Sequence, residues 1–146
     1  MPDFSENELR TAFPPIPPGG NVVAVGLDVE SVARVCAAIE RRGNAFLEKV
    51  FTADEIALCN ARGNAGRMSF AARWAAKEAF SKALGTGIGA AFSMTDVGVA
   101  NDELGAPFFE LSPRAEDALC ARGASRALLS LSHTKDFAAA VVLFVV

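Results

Sequence analysis

"RWAAKEAFSKALGTGIGA", residues 73–90, decides the fold. An α-helix turns about 100° per residue, so Ala72, Ala76, Ala79 and Ala83 fall on one narrow side. Small residues there let the helix backbone approach a neighbouring element closely. Arg73, Lys77 and Ser81 stack at i, i+4 on another side, and Trp74, Glu78 and Lys82 form a second row beside them. The pattern predicts a helix over about Ser69–Leu84 that buries its alanine side and presents the charged rows on a groove wall, partly dry and partly ionic. Gly85 is the expected residue just past its end. Glu78 and Lys82 also fit an ordinary solvated i, i+4 pair, worth about 0.2–0.5 kcal/mol. "GTGIGA" follows a helix rather than joining a strand to one, so it is neither a dinucleotide fingerprint nor a P-loop. It reads either as a helix stop with a loop, or as a nest of backbone N–H groups that lets a phosphate come close.

Toward the N-terminus, "NVVAVGLD" at 21–28 is a β-branched run that reads as a buried strand closing on Asp28. Val32, Val35, Cys36 and Ile39 recur at helical spacing, with Ser31 as N-cap and Gly43 as stop. "FTADEIALC" at 51–59 starts a helix with a Thr52/Glu55 capping box and a Phe51/Ile56 staple. Toward the C-terminus a strand is expected at 91–100, a turn at 101–107 and a strand at 108–111. Ser112-Pro113 opens a short helix ending near Gly123, and a hairpin turns at 134–136. The order predicts an α+β fold, an antiparallel sheet with packed helices, as one domain over 21–146. "PPIPPGG" at 14–20 marks residues 1–20 as an extension of linker character.

The whole chain has 146 residues and a net charge of −3, so an anionic ligand must be met by a local cluster of bases and a nucleic-acid footprint is not expected. Cys36, Cys59 and Cys120 are too far apart for a metal motif and read as reduced apolar fillers, which suits a cytoplasmic protein. No basic segment with an apolar run marks a signal peptide, and the run at 137–146 is about half the length of a membrane span.

Asp28 and Glu78, with Arg73, Lys77 and Lys82, have the composition of a magnesium–phosphate site. Mg²⁺ takes one or two carboxylates, waters and the phosphate oxygens of its substrate, and bases offset the remaining charge. Fifty residues separate the two acids, and Asp28 alone also fits a loop or helix-start acid. His133, the single histidine, is either a hydrogen-bonded turn residue or a donor to phosphate.

"VGLDVESVAR" at 25–34, "FTADE" at 51–55 with "RWAAKEAFSKALGTGIG" at 73–89, and "SLSHTKDFAAAVV" at 130–142 resemble the holo-acyl-carrier-protein synthases, the small bacterial-type branch of the 4′-phosphopantetheinyl transferases. The resemblance covers about 22–146, and its middle motif is the specific one. It implies the fold of that family and transfer of phosphopantetheine from coenzyme A to a serine of an acyl carrier protein or carrier domain, releasing adenosine 3′,5′-bisphosphate. It implies Mg²⁺ on Asp28 and Glu78; the serine then needs a base, for which Glu78, or a metal-bound water aligned by it, is the candidate, with Lys82 holding Glu78 ionised and stabilising the developing charge. It implies coenzyme A against Arg73, Lys77, Ser81, Gly85, Gly87, His133 and Thr134, the carrier against Arg34 and Trp74, and a homotrimer with coenzyme A between neighbours. Trp74 stands where such enzymes commonly have phenylalanine, and residues 1–20 precede their usual start. A non-catalytic coenzyme A or nucleotide-binding module, or a structural subunit of a fatty-acid synthase, is the alternative.

Overall fold

The computed structural model describes residues 21–87, 89 and 92–146. The extension at 1–20 and three residues of the glycine stretch, at 88, 90 and 91, lie outside the described residues. Strand β1 (Val22–Ser31) leads into helices α1 (Val32–Val50), α2 (Ala53–Ala61) and α3 (Ala65–Leu84). A 3₁₀ turn at Met94–Asp96 precedes the hairpin β2 (Val97–Asn101) and β3 (Pro107–Leu111). Then come α4 (Pro113–Ala121), β4 (Arg126–His133) and β5 (Phe137–Val145). The α+β architecture with antiparallel sheets is as expected: one sheet has the order β1-β5-β4 and the other is β2-β3.

The local signals act where they were read. Ser31 accepts from the Arg34 N–H, and Thr52 and Glu55 complete their capping box. Ser112 caps α4, and Gly85 closes α3 in the left-handed region at φ 80°. Gly43, at φ 71° and ψ −166°, interrupts α1, but the helix resumes to Val50. The remaining boundaries moved for tertiary or local reasons. Helix α3 begins at Ala65 rather than Ser69, because Gly66 sits against the backbone of Cys59, where a side-chain carbon would stand 2.1 Å from the carbonyl oxygen. The strand expected at 91–100 is confined to its second half. The Ser93 N–H donates to Asp96 at 2.7 Å and turns the backbone first. Strand β1 continues past Asp28 to Ser31, because it pairs with β5 as far as Phe137.

Helix α3 lies across the inner face of the three-stranded sheet, its alanines Ala75, Ala76, Ala79 and Ala83 buried against β1 and β5. Phe80 forms edge contacts with Phe92, Phe109 and Phe144 at ring separations of 5.7, 5.3 and 5.0 Å. Each such pair contributes about 0.5–1.5 kcal/mol beyond its buried area. A second cluster under α1 and α2, built on Val35, Leu47, Phe51 and Phe70, holds the other side of α3. The outer face of the sheet is apolar and open: Val25, Leu27 and Val29 are 61%, 56% and 57% exposed.

Candidate active site

Gly26, Asp28 and Glu30 alternate along β1 and therefore share its inner face. A side-chain carbon on Gly26 would stand 1.8 Å from the Ala79 carbonyl oxygen and 2.9 Å from the Ala83 nitrogen. Only glycine allows α3 to lie this close, and the closeness brings Asp28 to the row carrying Glu78 and Lys82. Lys82 Nζ donates to Asp28 Oδ1 at 2.8 Å. That ion pair reaches across to β1, whereas the expected partner was Glu78, four residues earlier on the same helix. The nearly buried Asp28 carboxylate has lost more water than the partly buried Glu78 and draws the cation more strongly.

The cluster carries more negative charge than Lys82 offsets. Asp28 Oδ2 is buried and has no hydrogen-bond partner. Burial, with the neighbouring Asp28 and Glu78 carboxylates, pushes the Glu30 carboxyl up to about 7. Burial and the Asp28 charge also raise Glu78, while Lys82 works against them. The hydrogen bond to Asp28 raises Lys82 in turn. An orphaned buried carboxylate oxygen beside a second carboxylate is an all-oxygen donor set, which fits Mg²⁺. Among the described residues no group of three acids, histidines or cysteines converges as a ready-made cage. A cation here would draw its other ligands from solvent and substrate, which is the habit of Mg²⁺.

The row containing Lys77 does not form a groove wall. Lys77 is fully buried, and its Nζ donates to Glu55 Oε1 at 2.7 Å, to the Met94 carbonyl at 3.0 Å and to the Val97 carbonyl at 2.7 Å. Glu55 Oε1 also accepts from the Thr52 N–H, and Oε2 accepts from the Val99 N–H at 3.1 Å. Desolvation lowers the Lys77 pKa and the Glu55 charge opposes it. Ser81, one turn on, is buried too. The expectation that Lys77 and Ser81 line a ligand surface is thus corrected for this protomer: that side of α3 faces α2 and β2, where a carboxylate and two carbonyls await an ammonium.

Arg73 is also buried, but it borders a cavity of about 240 Å³ that Arg62, Asn101 and His133 line as well. Its Nη2 donates to Asn101 at 2.8 Å, and its Nε is buried without a partner. Arg62 is held by the Ser69 hydroxyl at 2.9 Å. None of Asp28, Glu78 and Lys82 lines this cavity. Thr134 shapes the turn beside His133: its N–H donates to the Phe137 carbonyl at 2.8 Å and its hydroxyl accepts from the Phe137 N–H at 3.1 Å. Gly87 has φ 74° and open space around it, while the rest of the expected phosphate nest falls partly outside the described residues.

Arg34 and Trp74, the residues expected to face the carrier, line one groove of about 330 Å³ together with Glu30 and Arg41. Trp74 packs on Phe46 at 5.7 Å. Four contributors went unread in the sequence. Glu30 follows Asp28 by two, the spacing that keeps both on one strand face. Arg41 follows Arg34 by seven, two turns of α1. Glu55 appeared only as a capping residue, and Arg62 carries no local signal.

The family model for the 4′-phosphopantetheinyl transferase superfamily matches residues 24–142. The chain belongs to this superfamily. Among its relatives within the phosphopantetheinyl transferases, a holo-acyl-carrier-protein synthase of Ruminiclostridium cellulolyticum is 42% identical over 116 residues, 80% of this chain and 87% of that one. One of Trichlorobacter lovleyi is 39% identical over 122 residues, covering 84% and 96%. The Neisseria meningitidis synthase structure superposes with a TM-score of 0.78 at 35% identity, covering 85% of this chain and 98% of that one. A Helicobacter pylori synthase solved in complex with coenzyme A gives 0.72 at 34% identity, covering 82% and 98%.

Proposed function

We propose that this transferase moves the 4′-phosphopantetheine group of coenzyme A onto a serine of an apo acyl carrier protein, releasing adenosine 3′,5′-bisphosphate, with Mg²⁺ held by Asp28 and Glu78. The observation that carries the metal assignment is the convergence of two elements fifty residues apart on one unpartnered oxygen, Asp28 Oδ2, beside Glu78 and Lys82. When bound, Mg²⁺ offsets the charge of the pyrophosphate.

The chain's own residues then have distinct tasks. The serine hydroxyl attacks the phosphorus bearing the pantetheine, the bond to the adenosine bisphosphate oxygen breaks, and the serine proton passes to a carboxylate. Glu78, raised by burial beside Asp28, is that base. Lys82, tied to Asp28 but half-exposed, turns its remaining N–H donors to the leaving phosphate. Arg73, Arg62 and His133 meet the adenosine-side phosphate in their cavity, with Arg73 Nε unspent. Gly85 and Gly87 leave room for the pyrophosphate, and Thr134 holds the His133 turn. Arg34, Arg41 and Trp74 receive the acidic carrier. In the free protomer Lys77 and Ser81 have no surface to offer this ligand.

The phosphate cavity and the carboxylate cluster are lined by different residues, which supports a coenzyme A bound between neighbouring copies. The open apolar face of the β1-β5-β4 sheet supports a homotrimer. The deciding experiment incubates the protein with coenzyme A, Mg²⁺ and apo carrier and weighs the carrier by mass spectrometry. A phosphopantetheine gain that chelator or Asp28→Ala abolishes is expected. No gain with any carrier would leave a binding or structural module instead.

A further inference from the structure

As a helix start, the "FTADE" motif uses only part of Glu55. A capping box requires one oxygen of Glu55, bonded to the Thr52 N–H at 2.8 Å. The same oxygen also takes Lys77 at 2.7 Å, and the other oxygen takes the Val99 N–H. Lys77 Nζ thereby meets acceptors from α2, from the 3₁₀ turn and from the first residue of β2. Buried ion pairs of this kind contribute little or no net stability compared with apolar residues of similar volume. Their directionality is another matter. The contact of Gly26 with Ala79 and Ala83 sets how far α3 stands from β1. Rotation about the helix axis is held on the core side by the Phe80 ring contacts and on the α2 side by the three fixed acceptors on Lys77. Glu78 projects about 100° further round the same turn.

We propose that the buried Glu55–Lys77 pair is a positioning device for Glu78, locking the rotation of α3 so that the Glu78 carboxylate faces Asp28. The inference rests on the reading of Asp28 and Glu78 as the Mg²⁺ carboxylates. It links two sequence motifs, one on α2 and one on α3, into one mechanical unit, with Lys77 and Glu55 acting on the site without touching it.

The test separates positioning from stability. In the full chain the pair is replaced by Glu55→Gln with Lys77→Met, which keeps volume and leaves one amide donor and acceptor in the pocket. Mn²⁺ affinity is measured by electron paramagnetic resonance with coenzyme A present and carrier absent, beside the parent and Asp28→Ala. The expected result is a melting temperature within about 4 °C of the parent and Mn²⁺ binding weakened about 10–100-fold, the range seen when groups that orient metal ligands are removed. A folded variant that binds Mn²⁺ as the parent does, while Asp28→Ala does not, overturns the inference. A parent that binds no better than Asp28→Ala overturns the metal reading and this inference with it. Should the double variant not fold, Glu55→Gln alone is measured and judged by the same two outcomes.

Discussion

Gly26→Ala isolates the contact that assembles the site. The added methyl would lie 1.8 Å from the Ala79 carbonyl oxygen, 2.8 Å from its carbon and 2.9 Å from the Ala83 nitrogen. All three are backbone atoms of a regular helix, so no side chain can swing aside. Relieving the shortest contact to even 3.0 Å opens β1 from α3 by about 1.2 Å. Overpacking of this kind costs about 1–3 kcal/mol, or a melting temperature lower by roughly 3–12 °C in a chain of this length. The same movement stretches the 2.8 Å Lys82–Asp28 bond and carries Glu78 away from Asp28. A 1 Å misplacement of reacting groups costs about 10²-fold in rate. The assay pairs thermal unfolding with phosphopantetheine transfer at saturating coenzyme A, measured well below the lowered melting temperature. A variant that unfolds earlier but transfers at the parent rate would refute the claim that this close approach sets the carboxylate geometry.

Other perturbations probe the remaining parts. Without divalent cations, stability falls as pH rises from about 4.5 to about 7, because the folded state holds protons on Glu30, raised to about 7, and on Glu78 that the unfolded chain releases earlier. Thermal melts across that window check the sign, and Glu30→Gln flattens the slope. Arg62→Met raises KM for coenzyme A while leaving that for dephospho-coenzyme A unchanged; equal changes for both would remove Arg62 from the phosphate cavity. If the proposed homotrimer packs through the open sheet face, Leu27→Asp gives monomers in light scattering and abolishes transfer without unfolding the protomer. A trimer that survives it would move the interface elsewhere.

The helix starts and stops were legible because they are local chemistry. Ser31, Thr52 with Glu55, Ser112-Pro113 and Gly85 satisfy or release backbone groups within a few residues, and sequence spacing records that directly. The alanine stripe of α3 was legible for the same reason: its 3.6-residue period states which side is buried. Asp28, Glu78 and Lys82 were legible as chemistry, through residue types suited to Mg²⁺ and phosphate. The division of α3 into a partly exposed row and a buried structural row was not. Lys77 and Lys82 look alike in the sequence, yet one is spent inside on Glu55 while the other reaches Asp28 from the surface.

Sequence alone thus determined the elements, the buried side of the central helix and the two acids proposed to hold the metal. The tertiary structure decided which partner each charge takes. It did so through the pairing of β1 with β5, the first strand with the last, and through the missing side chain at Gly26. Both are contacts between segments far apart in the chain, and an ammonium's choice among carboxylates depends on distance and desolvation, which no spacing along the chain encodes.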